Sequence, residues 1–182
     1  VPDSTLDAQP GDPNAAVYWL ARMLEGGEDI KFIARRLIIL ASEDIGNANP
    51  TALILANNCF QAITNIGMPE SRIILSQTTI YLACSPKSNA SYLAINKAQE
   101  LVNEKGSLSV PLELRNSPTK LMKDLDYGKN YLYAHDFENN FVNLEFLPDD
   151  ISGTTLYSPG NNERELKFKN YLSSIWKDKY HY

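Results

Sequence analysis

Apolar residues recur at helical spacing through the first 105 residues of the chain. Val17, Leu20, Ala21 and Leu24 follow the i, i+3, i+4, i+7 pattern of one helix face. In the second segment Ile30, Ile33, Leu37, Leu40 and Ala41 form a similar stripe. Proline, asparagine and glycine separate such segments, as expected at helix boundaries. The pattern predicts five helices joined by short connections, at residues 12–25, 29–45, 49–66, 69–84 and 88–105.

Two helix starts carry a cap residue followed by proline. Asp12-Pro13 and Asn49-Pro50 each place a side-chain acceptor before a proline that fits the first helical turn. In the fifth helix four apolar residues are predicted to face inward, namely Ile95, Ala98, Leu101 and Val102. Five helices of this kind make a helical bundle or array.

The chain changes character after Gly106, where prolines and glycines divide it into short pieces. Residues 120–125 are predicted to form a short helix. Tyr131–His135 and Thr154–Tyr157 are predicted to pair as a small β-hairpin, because alternating aromatic residues suit a half-buried strand. A final helix starts near Asn162, with Phe168, Tyr171, Leu172 and Ile175 on one face. The predicted fold is mainly α, a bundle with a small irregular or hairpin part and a last helix.

Charge and cysteine content limit the class of protein and the cellular compartment that the sequence predicts. The formal net charge of the 182 residues is −5, and the excess of acids lies in the first 70 residues. A dedicated nucleic-acid binder is normally basic, so the overall charge argues against that class. No apolar run approaches the roughly 18 residues that span a bilayer. Cys59 and Cys84 lie in apolar helical patterns, which predicts two buried, reduced thiols in a cytoplasmic protein.

The sequence lacks the motif that binds nucleotide phosphates in ATPases. That motif needs a glycine-rich turn ending in Gly-Lys-Ser/Thr, whereas Gly128-Lys129 is followed by asparagine. Glu43 and Asp44 follow an apolar stretch, as the metal-binding acids of ATPases do, but a helical pattern leads into them. We therefore interpret them as a solvated helix end and predict no catalytic residue, metal or cofactor in this chain.

His135 and Asp136 are the one pair that resembles a catalytic base and its orienting acid. One alternative is therefore a small enzyme that uses His135 and Asp136 in catalysis. Catalysis requires a whole constellation, and no nucleophile can be matched to the pair from the sequence. A structural, hydrogen-bonded histidine is the favoured interpretation.

Several blocks, in one order over residues 12–176, carry a family resemblance. They are Asp12–Leu24, Phe32–Leu37, Ala41–Gly46, Pro86–Ala90, Tyr127–Lys129 with Tyr131 and Tyr133, His135–Phe137 and Phe146–Pro148. The chain resembles the C-terminal region of the RarA/MgsA family of AAA+ ATPases, relatives of the Werner helicase-interacting ATPase. Residues 1–11 depart from the family's basic entry segment, and Asn47-Ala48-Asn49 replaces its usual Leu-Ala-Asp.

The resemblance implies a bacterial, clamp-loader-like ATPase that acts at stalled replication forks. Residues 1–11 contain two prolines and no periodicity, which predicts an extended lead-in. The resemblance implies a lid-associated helical hairpin at 12–45 and an oligomerisation domain at 46–182. ATP and Mg²⁺ would bind in an ATPase core outside this chain. The implied partners are further copies in a tetramer, DNA and single-strand-binding protein, with no membrane, in the cytoplasm and associated with the nucleoid.

Two groups of residues are candidates for contacts with partners. The candidates for an oligomer or core interface are Tyr18, Trp19, Arg22, Arg35, Arg36, Ile38, Ile39 and Tyr81. Arginine suits such contacts because its planar fork binds carboxylates bidentately. The favoured interpretation of the three arginines is that they form surface ion pairs with Glu25, Glu28 and Glu43, because such pairs are common.

The second group interleaves bases with aromatic residues, as a single-strand stacking platform does. Its candidates for DNA or partner contact are Lys87, Lys120, Lys123, Lys129, Tyr131, Tyr133 and His135. The favoured interpretation is that these tyrosines anchor an irregular loop. The sequence therefore predicts a non-catalytic tetramerisation domain, with an adaptor for DNA or single-strand-binding protein as the alternative.

Overall fold

The computed structural model describes residues 11–116, 119–129, 132–177 and 179–182, without the side chains of Lys123 and Glu138. The described residues contain seven α-helices and no strand, which confirms the predicted mainly helical class. The helices are α1 (Pro13–Glu25), α2 (Ile30–Leu40), α3 (Thr51–Ile66), α4 (Ser71–Ala83), α5 (Ala90–Lys105), α6 (Lys120–Asp124) and α7 (Glu163–Trp176). None of these helices is long and apolar enough to cross a membrane.

The chain divides into two compact units, of which the first holds the main core. It comprises the residues up to Leu93 and Pro159–Lys167, and the second comprises Ala94–Ser158 and Phe168–Tyr182. In the first unit α1 packs on α4, α4 on α3 and α3 on α2. The fully buried residues of the four helices include Leu20, Ile33, Leu37, Ile63, Leu75 and Leu82. These positions follow the apolar periodicity of the sequence, because burial of one stripe is what stabilises a helix in water.

Only one of the two predicted proline-containing caps forms. Asp12 Oδ1 accepts hydrogen bonds from the backbone N–H groups of Asn14 and Ala15, both at 3.0 Å. Asn49 does not cap α3. Its Nδ2 instead donates to Tyr81 Oη at 3.0 Å and to Ser85 Oγ at 3.1 Å. Tertiary partners on and after α4 therefore take the asparagine side chain away from the helix end.

The predicted second helix changes its winding before it ends. The α-helical part stops at Leu40, and Ala41–Ile45 form a π-helical turn. Gly46 follows with φ +48° and ψ −133°, a conformation that a residue with a Cβ avoids. The π turn buries Ala41 and Ile45 while it redirects the chain toward α3.

α5 is much more exposed than its sequence pattern predicts. Ile95 and Val102 are 54% and 64% exposed, so the prediction that they face inward is wrong. Ala98 and Leu101 are half-buried, as are other residues on the same side of the helix. An apolar stripe shows that a helix can pack against an apolar neighbour. Periodicity alone does not show whether that neighbour belongs to the same chain.

The second unit contains most of α5 and α7, the short α6, several turns and an aromatic cluster. The ring of Trp176 meets Phe141, Tyr180 and Phe146 edge to face, with centroid separations of 4.9, 5.1 and 6.1 Å. The predicted helix at 120–125 is present as α6. Residue 131 of the predicted β-hairpin lies outside the described residues, and the described residues of both segments contain no strand. Ala134–Asp136 form a 3₁₀ turn through local hydrogen bonds instead.

The two cysteines differ in exposure. Cys59 is buried in the core as predicted, and burial raises the pKa of its thiol. Cys84 ends α4 and is exposed, so the prediction that both are buried is wrong. The apolar spacing that leads up to Cys84 places it on the outer side of α4 rather than the inner one.

Candidate assembly and partner-binding surfaces

α1 presents the aromatic pair that the sequence proposes for an interface. Tyr18 is 55% exposed, and its ring meets the half-buried Trp19 ring edge to face at 5.4 Å. Arg22 Nη1 donates to Tyr18 Oη at 3.4 Å, one helical turn away. Tyr18 and Arg22 are exposed on the outer side of α1, with Trp19 half-buried beside them, so Tyr18 and Arg22 are available to a partner.

The interface candidates on α2, together with Tyr81 on α4, separate into exposed positions and positions that pack on the core. Ile39 is 43% exposed, and Arg35 is exposed with a loose ion pair to Asp29 at 3.8 Å. That partner is none of the three glutamates proposed from the sequence. Arg36 is half-buried, while Ile38 and Tyr81 pack against the core. Ile38 and Tyr81 thus contribute to the stability of the first unit, and Ile39 and Arg35 remain candidates for contact.

A further group of exposed apolar side chains in the first unit lies on the hairpin of α3 and α4. We define the hairpin face as the large apolar side chains of α3, α4 and their connecting turn that are more than 40% exposed, namely Leu53, Ile54, Ile66, Met68, Ile73 and Ile80. On α4, Ile73 and Ile80 lie seven residues apart, opposite buried Leu75 and Leu82. Sequence reasoning missed this face, although the i, i+7 repeat of isoleucine signals it.

Charged side chains are almost absent from the two helices of this face. α3 has the sequence TALILANNCFQAITNI, without Asp, Glu, Lys, Arg or His, and of these residue types α4 has Arg72 alone. Surface helices of monomeric proteins normally carry charges on their outer sides. Depletion of charge with exposed aliphatic residues is typical of the core of a protein interface.

Lys87 occupies a partly buried polar site rather than an open surface. Its Nζ donates to the carbonyl oxygen of Leu82 at 3.2 Å. Next to it, the backbone N–H of Ser88 donates to the carbonyl oxygen of Asp44 at 2.7 Å, which holds the chain before α5 on the π turn. Burial lowers the pKa of Lys87, and the nearby Asp44 carboxylate opposes that effect. Lys87 is thereby oriented toward the protein rather than toward a phosphate.

This environment predicts a pH dependence of stability. The folded protein binds a proton at Lys87 less tightly than the unfolded chain does. The charged lysine therefore lowers the free energy of unfolding at pH values below its pKa in the folded protein. This destabilisation disappears as the pH rises from that pKa toward 10.5, the ordinary pKa of lysine. The free energy of unfolding of the wild type, minus that of Lys87→Met, is therefore expected to increase with pH over this window. Urea unfolding at several pH values measures it, with the exposed Lys31→Met as control; a flat difference contradicts the expectation.

The lysine- and tyrosine-rich candidates lie in the second unit and are only partly described. Lys129 pairs with Asp126 at 2.9 Å, Lys120 is exposed, and Tyr131 and the side chain of Lys123 lie outside the described residues. Tyr133 is 55% exposed, and its ring lies 5.1 Å from that of His135. His135 Nδ1 is 3.2 Å from Asn140 Oδ1. Within the described residues the structure thus gives His135 a local hydrogen-bond partner.

Comparison with known proteins assigns the chain to a family. Residues 10–176 match the model of the MgsA AAA+ ATPase C-terminal region. The chain belongs to the RarA/MgsA family. It is 48% identical, over 88% of its length, to the replication-associated recombination protein A of Coxiella burnetii, of which it spans 37%. To the protein of the same name from Escherichia coli it is 43% identical over 85% of its length, spanning 35% of that relative.

A eukaryotic relative extends the similarity. The ATPase WRNIP1 of Dictyostelium discoideum is 40% identical over 80% of this chain, which spans 17% of it. The hairpin face and Trp176 at the centre of the aromatic cluster therefore lie within the part of the chain that matches the C-terminal region of this family. The family match covers α1 to α7, which includes every candidate residue described above.

Proposed function

We propose that this domain is a non-catalytic oligomerisation module that joins RarA/MgsA-family ATPases into a tetramer. The observation that carries this proposal is the hairpin face, with its exposed aliphatic residues on two nearly uncharged helices. Large apolar side chains exposed on two neighbouring helices are typical of interaction sites. ATP and Mg²⁺ would bind in the part of the protein that precedes this domain in the family's architecture.

The composition of the hairpin face favours a second copy of the same chain as its partner. A surface without charges meets its own copy without like-charge repulsion, as the two-fold interfaces of homo-oligomers require. A nucleic acid needs the opposite, a basic surface that neutralises phosphates. Arg72 is the one cation of the two helices, and Glu70 lies in the turn beside it. The hairpin face is thus chemically suited to protein rather than to DNA.

The module would act by fixing the geometry of several ATPase cores, so that nucleotide state is coupled to engagement of DNA. The group of Tyr18, Trp19 and Arg22 on α1 is proposed as a contact to a neighbouring subunit or to the ATPase core. DNA and single-strand-binding protein are proposed as partners of the full-length protein, in the bacterial cytoplasm.

The solution mass of the chain, measured by light scattering at micromolar concentration, tests the proposal. A fourfold multiple of the 20.4 kDa protomer is expected. A monomer that persists as the concentration is raised contradicts a scaffold role. It would leave the adaptor function, in which binding to DNA or single-strand-binding protein falls steeply with salt.

A further inference from the structure

The second unit contains a cavity that the oligomerisation proposal does not use. Its volume is about 630 Å³, within the range of roughly 300–1,000 Å³ that small-ligand sites occupy. The end of α7 and the segment 139–143 form its wall, in which polar atoms predominate. The lining side chains that bear on its chemistry are Asn139, Asn143, Phe141, Trp176, Lys177 and Lys179.

The aromatic side of the cavity is held in place by its neighbours. Phe141 and Tyr180 both meet the Trp176 ring edge to face, with centroids at 4.9 and 5.1 Å. Edge-to-face pairs stabilise one ring orientation beyond simple burial. Trp176 nevertheless stays partly exposed and lines the cavity. The result is a fixed aromatic platform rather than a closed core.

Lys179 is held over one face of the Trp176 ring by two interactions. Its Nζ lies 4.5 Å from the centroid of the Trp176 ring and 3.1 Å from Glu145 Oε2. Glu145 in turn accepts hydrogen bonds from the Ser152 hydroxyl and, at 2.9 Å, from the Leu147 backbone N–H. The ammonium group is thus oriented before any ligand arrives, which lowers the entropic cost of binding.

Lys177 occupies a backbone position that normally belongs to glycine. It directly follows α7 with φ +50°, and its N–H donates to the carbonyl oxygen of Ser173 at 3.1 Å. This is the left-handed residue that ends a helix, where glycine avoids the strain. A lysine held in this conformation is a strained residue, and such residues occur at ligand sites, where the side chain justifies the cost.

We propose that this cavity binds a nucleotide, that is, an aromatic base with its phosphate. A partly exposed aromatic ring such as Trp176 can stack on a base of any identity. The amides of Asn139 and Asn143 each carry a donor and an acceptor, which match the donor–acceptor pairs on base edges. Lys177 supplies the cation for the phosphate, with Lys179 beside it in its ion pair with Glu145.

The ligand is either a free mononucleotide or one unit of a single strand, and the two can be distinguished. Fluorine NMR of fluorotryptophan-labelled protein reports on both tryptophans of the chain, Trp176 in the cavity and Trp19 in the other unit. Titration with adenosine monophosphate or with oligothymidylate is expected to shift the Trp176 resonance saturably and leave that of Trp19 in place. Saturation by the oligonucleotide alone identifies a single-strand site, and saturation by the mononucleotide identifies a site for the free ligand.

Substitution of Lys177 provides the decisive variants. Lys177→Gln is expected to raise the Kd at least about tenfold, because a charge-assisted phosphate contact is lost. Lys177→Gly should weaken binding equally while it raises Tm, since glycine relieves the positive φ. The control is Lys105→Gln, which removes the same charge at the exposed end of α5 and should leave the Kd unchanged.

Three results would overturn the assignment. The first is the absence of a saturable Trp176 shift with both nucleotide probes. The second is an equal shift with inorganic phosphate, which would show an anion site that ignores the base. The third is a Lys177-dependent shift with an acidic aromatic peptide but not with nucleotides. None of them bears on assembly, which is measured separately from the solution mass.

Discussion

Replacing Ile73 and Ile80 together with aspartate is expected to reduce the solution mass to that of a single 20.4 kDa protomer. The two side chains are 59% and 42% exposed in the chain by itself, on the outer side of α4. Burial of one isoleucine in an interface contributes about 1–3 kcal/mol, and aspartate there adds the cost of an unpaired charge. We expect the association constant to fall at least about a hundredfold for the pair.

The same double substitution should leave each protomer folded. Exposed positions that make few contacts usually change stability by about 0.5 kcal/mol or less, so the far-ultraviolet circular dichroism of the variant should match the wild type. Leu121→Asp is the matched control, because Leu121 is 68% exposed but lies on α6 in the second unit. If the double variant keeps the wild-type mass, or if Leu121→Asp dissociates the assembly instead, the hairpin face is not the interface.

Gly46→Ala is expected to destabilise the domain by about 3 kcal/mol, the largest effect that we expect from the addition of one methyl group. Gly46 has φ +48°, and a Cβ there would lie 2.8 Å from the carbonyl oxygen of Ser88. The added Cβ belongs to the backbone of Gly46 and the atom it meets belongs to the backbone of Ser88, so neither can move aside by a side-chain rotation. Moving Ser88 away would also weaken its 2.7 Å hydrogen bond to Asp44, which anchors the chain before α5 to the π turn.

Gly27→Ala separates the cost of the positive φ from the cost of the close contact with Ser88. Gly27 also has a positive φ, +78°, but a Cβ there meets nothing within 4 Å. Its substitution should therefore cost only the conformational strain, about 1 kcal/mol. In thermal unfolding at fixed protein concentration, Gly46→Ala should lower Tm by about 6–12 °C and Gly27→Ala by about 2–4 °C. Equal shifts for the two variants would show that the contact with Ser88 contributes nothing.

The sequence by itself determined the helices of the first unit and the family of the chain. Asp12-Pro13 correctly marks the start of α1, and the stripes through Leu20, Ile33 and Leu37 give the buried faces. These features are local, because a cap and an apolar stripe depend on residues within one or two helical turns. The blocks that resemble the RarA/MgsA family are also contiguous stretches of sequence, and residues 10–176 match that family.

Only the tertiary structure decided where each apolar or polar side chain is used. Asn49 has the sequence of a helix cap, yet it bonds to Tyr81 and Ser85, more than 30 residues away in the chain. Ile95 and Val102 fit a predicted inward stripe but are exposed. Ile73 and Ile80 share one side of α4 by their spacing, but only the structure shows that this side is exposed. Periodicity states that a helix has an apolar side, whereas the neighbours that cover that side are fixed by packing between distant segments. The same holds for Lys177, whose left-handed backbone and place in the cavity wall follow from how α7 ends, not from its own sequence preference.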